Sequence, residues 1–136
     1  MRKFYTTIFF ISTLLLSCAK EETKLETFNP EAFAYDLGNS WEVNAVVNVK
    51  GFEQRKNSEN NNYEASISYS ANIKTPAGKI IEDIYLDKAE FSSEEEIIDV
   101  PIEVQFDLDS TYTEGTYRII FNLKDNFSEG TTTSRN

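Results

Sequence analysis

The chain has 136 residues, with 13 basic and 23 acidic side chains, no histidine, one cysteine and 40% hydrophobic residues. A formal charge of −10 opposes binding to nucleic acid or to an anionic lipid surface, both of which require clustered Lys and Arg. The absence of histidine removes the commonest general base and transition-metal ligand, and a single cysteine leaves the fold no internal disulfide.

Met1-Arg2-Lys3 gives a positive start, and residues 4–16 (FYTTIFFISTLLL) carry no charge. As a helix such a run spans about 20 Å, short of the roughly 30 Å of a hydrocarbon core, so it reads as a removable signal peptide. Leu15-Leu16-Ser17-Cys18 closes the run and resembles the lipobox of bacterial lipoproteins. That resemblance implies cleavage between Ser17 and Cys18, diacylglycerol on the Cys18 sulfur, and the membrane as a partner through the acyl chains. A thiolate is the side-chain nucleophile suited to forming the thioether, and two or three chains hold a protein lastingly where one does not. The competing reading is an ordinary signal peptide followed by a free cysteine. Loss of residues 1–17, which hold Arg2 and Lys3 and no acid, takes the net charge from −10 to −12.

Ala19-Lys20-Glu21-Glu22 resembles the lysine-plus-acid export tag of Bacteroidota-type surface lipoproteins. It implies display on the outer face of the outer membrane; a solvated linker on a protein facing the periplasm is the alternative. Residues 18–30 form the lipidated cysteine and a polar tether closed by Pro30, and residues 31–136 form the domain. Fully extended, such a tether reaches at most about 40 Å.

Beyond Pro30 the pattern is period-two alternation, which puts every second side chain on one face of a strand. Phe33, Tyr35 and Leu37 predict a short strand, ended by the turn Gly38-Asn39-Ser40. Trp41, Val43, Ala45, Val47 and Val49 predict the next, with Val46 as an exception. Phe52 beside Gly51 opens the polar segment Glu53 to Asn62, either a recognition loop or a disordered one. Tyr63, Ala65, Ile67, Tyr69, Ala71 and Ile73 then alternate with polar residues without a break. After the turn Pro76-Ala77-Gly78 come a short strand over 80–86 and a long one carrying Ile98, Val100, Ile102, Val104, Phe106 and Leu108. Pro101 cannot donate to a ladder, so that strand lies at a sheet edge or carries a bulge. Tyr117, Ile119, Phe121 and Leu123 predict a further strand, and a polar stretch from Thr131 the last.

About seven strands, each with one wet face, and no helical pattern predict an all-β chain of two antiparallel sheets packed face to face. An immunoglobulin-like β-sandwich is the expected architecture. Gly115-Thr116-Tyr117 resembles the tyrosine corner of such domains, which implies a phenol hydrogen-bonded to nearby backbone. The disulfide and packed Trp of antibody domains are missing, which excludes that subclass.

Nothing resembles a nucleophile elbow or a phosphate loop, and the chain reads as non-enzymatic and without cofactor. The many carboxylates read as a solvated surface. Asp107, Asp109, Asp125 and Asn126 supply oxygen ligands for calcium without EF-hand spacing; turn chemistry is the favoured account. Exposed aromatics would mark sugar binding. Trp41 is expected in the core, which leaves Phe127, in the turn Asp125 to Gly130, and Phe52 as candidate ligand contacts, with Phe127 folded onto the sandwich edge as an equal alternative. Asp109-Ser110-Thr111 resembles the O-glycosylation sequence of exported Bacteroidota proteins, which would place a glycan on Ser110; ordinary turn formation is the alternative. The expected function is a lipid-anchored, non-catalytic binding or accessory module of the bacterial cell envelope, with a glycan or an envelope protein as partner. The alternative is a structural subunit that pairs through a strand edge.

Overall fold

A computed structural model describes residues 24–135, and the candidate sites Ser17, Cys18, Lys20, Glu21 and Glu22 lie outside them. Eight strands follow in chain order: β1 (Glu26–Asp36), β2 (Ser40–Lys50), β3 (Arg55–Lys56), β4 (Tyr63–Lys74), β5 (Ile80–Ser93), β6 (Asp99–Asp109), β7 (Arg118–Asp125) and β8 (Thr131–Arg135). One sheet has the order β1-β2-β6; in the other β4 pairs with β5 on one side and with β7 and the two-residue β3 on the other, and β8 completes the row beside β7. All pairings are antiparallel. First, second and fifth long strands on one sheet, the rest on the other, is the order of an immunoglobulin-like β-sandwich.

The alternation sorts side chains between a shared core and two outer faces. In β2 Val43, Ala45, Val47 and Val49 are buried, and across the ladder Val100, Ile102 and Val104 of β6 join them. From the facing sheet Ile67, Ala71 and Ile73 of β4 and Ile119, Phe121 and Leu123 of β7 close the core. Burying each large aliphatic or aromatic side chain contributes about 1.5–3 kcal/mol, so this one layer carries the fold without a disulfide. Both sheets and the core between them lie within residues 24–135, so this segment folds as a unit. Pro101 is tolerated because β6 is an edge strand, paired with β2 alone.

Several boundaries differ from the sequence reading. The tether does not run to Pro30: β1 begins at Glu26, and Leu25 is 4% exposed in the core. A bulge between Phe28 and Glu31, with Asn29 at φ 48°, absorbs the proline, whose missing N–H the ladder does not need there. Within β1 the inward residues opposite Val43 and Ala45 are Ala34 and Ala32, so Phe33 and Tyr35 point outward. β5 runs on to Ser93, well past residue 86, and Ile98 lies outside β6 and in solvent.

The tyrosine corner is present. Tyr117 Oη donates to the Thr113 carbonyl at 2.7 Å and its ring meets Tyr112 edge-on, at 6.4 Å between centroids.

Candidate functional site

Strand direction gives the sandwich two distinct poles. At one, Lys24 and Leu25 lead into β1, and the Lys24 carbonyl lies against Gly51 where a Cβ would sit. The turns between β2 and β4, β5 and β6, and β7 and β8 gather at this near pole. At the far pole are the β1–β2 and β4–β5 hairpin turns and the long β6–β7 connection. Leu37 N donates to the Ser40 carbonyl and Gly38 N to Asp36 Oδ1 at 2.7 Å, and Thr75 N reaches the Lys79 carbonyl at 2.8 Å, so two of the three are tight turns.

The near pole is structural. Asp125, 1% exposed, accepts from Glu53 N at 2.7 Å, Phe127 N at 2.9 Å and Ser128 Oγ at 2.7 Å. These donors satisfy a buried carboxylate that would otherwise be costly, and they tie the loop after Phe52 to the β7–β8 turn. Gln54 completes the tie by exchanging two bonds with the Ile97 backbone, at 2.7 and 2.9 Å. Phe52, a candidate contact in the sequence reading, is 5% exposed and belongs to the core, because the polar loop it opens folds back over it. Phe127 is half-buried and covered by the Arg55 guanidinium, 4.2 Å from the ring centroid. The loop itself is ordered by Asn57, whose side chain donates to Glu64 at 2.7 Å and accepts from Glu59 N at 2.8 Å.

The far pole carries an open cleft of about 940 Å³ between the two sheets. Its walls are Ala32 and Ala34 of β1, Trp41 and Val43 of β2, Phe106 and Leu108 of β6, and Ile119 of β7, with Tyr112 and Tyr117 at the mouth. The opening has a local cause. Ala32 and Ala34 are small, and β8 pairs with β7 only over Ile120–Lys124, so among the described residues no strand covers this corner. Trp41 stays in register with the core row but is 38% exposed, because the core ends beside it. Among the described residues the Trp41 indole N–H and the Tyr112 phenol have no hydrogen-bond partner, and the Glu31 and Glu114 carboxylates stand at the rim. Aromatic faces, a mostly apolar floor and a few polar groups are the ordinary make-up of a small-ligand or peptide site.

Ser110 stands exposed at the same pole. Asp109 accepts from the hydroxyl and from the backbone N–H of Thr111, which folds Asp109-Ser110-Thr111 into a turn and holds the Asp109 carboxyl below its usual range. Asp107 lies on the outer face of β6 in the row of Glu42, away from buried Asp125. Among the described residues no three acidic, Cys or His side chains come together in a way that would hold a metal ion.

Neither the cleft nor Tyr112 figures in the sequence reading. The available signal was Ala32 and Ala34 alternating with Phe33 and Tyr35, a small-residue face that leaves space wherever nothing opposes it. No protein-family model matches this chain, and none of the curated proteins is significantly similar to it in sequence.

Proposed function

We propose that this chain is a lipid-anchored, non-catalytic binding module of the bacterial cell envelope, held through Cys18 and making contact with its ligand at the far-pole cleft. One observation carries the reading: the end of the domain that leads back toward Cys18 and the cleft lined by Trp41, Tyr112 and Tyr117 are at opposite poles. A tether at one end therefore presents the cleft away from the membrane. The partner is a glycan or an envelope protein, and the module works without cofactor or metal. Support for a binding role over catalysis comes from the lack of histidine and from a cleft built of rings and aliphatic side chains. The Lys20-Glu21-Glu22 tag favours the outer face of the outer membrane over the periplasmic one.

The test has two arms. Metabolic labelling with a clickable fatty acid should mark the chain and be lost with Cys18→Ser. Protease shaving of intact cells should remove the native protein and spare a variant with Lys20, Glu21 and Glu22 changed to Ala. Absence of acyl label on the native chain would overturn the anchor, and protection of the native chain from protease would move the module to the periplasm.

A second reading, a structural subunit that pairs through a strand edge, draws on the edge of β7 at Arg118 and Ile119, which β8 leaves uncovered among the described residues. Recovery in a large complex that dissociates when Arg118→Pro blocks this edge would favour it.

A further inference from the structure

We propose that this domain associates with copies of itself face to face, the acidic outer face of the β1-β2-β6 sheet of one molecule docking on the basic outer face of the other sheet of the next. The inference goes beyond the binding role and does not rest on it; of the acidic face, Glu31 and Phe33 also border the cleft.

Register shows the charge separation. On the outer face of β1-β2-β6 the rows read Tyr35–Glu42–Asp107, Phe33–Asn44–Gln105 and Glu31–Val46–Glu103. Asp109 and Asp99 continue it at the two ends, and its single cation, Lys50, is engaged by Glu26 at 3.6 Å. On the outer face of the other sheet, Lys74 stands beside Arg118, and Ser68 lies between Lys88 and Lys124. Glu90 binds Lys88 at 2.6 Å and offsets that cation, and Glu64 accepts from Asn57 across from Arg55, which leaves Lys74, Arg118 and Lys124 as the cations that set the charge of this face. Glu82 and Asp83 fall in the β5 bulge, outside the paired rows. A chain with a large net negative charge has thus gathered most of its strand cations on one face.

The apolar features match as well. The acidic face exposes Phe33 and Tyr35, 51% and 56%, as an edge-on pair 5.5 Å between centroids. The basic face has a shallow groove of about 630 Å³ beside Leu86, floored by Ser68, Ser70, Asn122 and Thr133 and bordered by Lys88, Lys124 and the Asp87 carboxylate. An aromatic pair between carboxylates and a groove flanked by Lys88 and Lys124 are complementary in character, and cations over the rings add to the attraction. The occupant argued for is therefore a second copy. Because the two surfaces differ, the contact is heterologous and does not close, so it builds rows. Both faces run along the pole-to-pole axis, which lets neighbours packed with parallel axes keep their Lys24 ends on one side.

The experiment is sedimentation equilibrium of residues 24–136 at about 20 mM and about 500 mM salt, between which the screening length falls from roughly 20 Å to roughly 4 Å. At low salt the weight-average mass should rise with concentration to about twice the monomer or more, and at high salt return to the monomer. Two triple variants, E31Q/E103Q/D107N and K74Q/R118Q/K124Q, all at exposed positions, should each be monomeric alone. Mixed in equal amounts they should form a dimer that cannot grow, since one intact acidic face then meets one intact basic face. A wild-type chain that stays monomeric at low salt up to about millimolar concentration, association indifferent to salt, or a folded pair that does not combine would overturn the proposal. If either variant fails to fold by circular dichroism, the salt titration of the wild type decides alone.

Discussion

Tyr69 is a titratable side chain that the fold holds out of solvent, 8% exposed. It stands on the inner face of β4, donates to the Glu103 carbonyl across the sandwich at 3.3 Å and stacks on Tyr85 at 6.1 Å between centroids. Burial first, then the neighbouring Tyr85 and Asp87, push its phenol from 10.0 up to about 12. The folded state therefore prefers the protonated phenol. Its contribution to stability is complete below the unfolded pKa and is lost as pH rises from about 10 toward 12. Urea unfolding across that window should show the loss, and Tyr69→Phe should flatten the slope; an unchanged slope in the variant would assign the alkaline loss elsewhere. Tyr117 offers a second residue-level test. Its phenol closes the tyrosine corner on Thr113, and Tyr117→Phe should cost about 1 kcal/mol in unfolding free energy with the fold intact.

At the level of elements, the long strands were legible because alternation states both the element and its inward face. β2, β4, β6 and β7 fall within a residue or two of their expected bounds. The failures have physical reasons. A proline and a charged stretch look like linker and hide the first half of β1, whereas a bulge lets the strand run through Pro30. The second half of β5 escapes the pattern because Asp87 takes a place in the inward row of Ala89 and Phe91, as an edge strand allows, and Lys88 and Glu90 surround that row with charge. Phe33 and Tyr35 set the alternation of β1, but large residues on an edge strand need not face the core. Gly51 provides the test of how firmly β1 is seated. It adopts φ 74° and lies against the Lys24 carbonyl, so Gly51→Ala should destabilise the domain by about 1–3 kcal/mol, through left-handed strain and displacement of Leu25. An unchanged midpoint would mean that the start of β1 moves aside without cost.

For the whole molecule, the sandwich follows from strand count and one-sided wetness, but the arrangement of its surfaces does not. Each strand shows which residues face out; only the pairing of β1 and β6 with β2, and of β5 and β7 with β4, collects acids on one face and bases on the other. The far-pole cleft is likewise a product of topology, formed where two alanines meet a corner that β8 does not cover. The residues picked out from the sequence as contacts, Phe52 and Phe127, belong instead to the near pole, one in the core and the other under Arg55. Two poles with separate duties make the account directly testable. The decisive measurement is retention of residues 24–136 on immobilised envelope polysaccharide and on immobilised envelope proteins, for the wild type, Trp41→Ala/Tyr112→Ala and Phe127→Ala. The account predicts that the wild type and Phe127→Ala are retained on one of the two supports and that the cleft variant, still folded, is not. Retention that survives loss of Trp41 and Tyr112, or wild-type protein that passes through both supports, would contradict it.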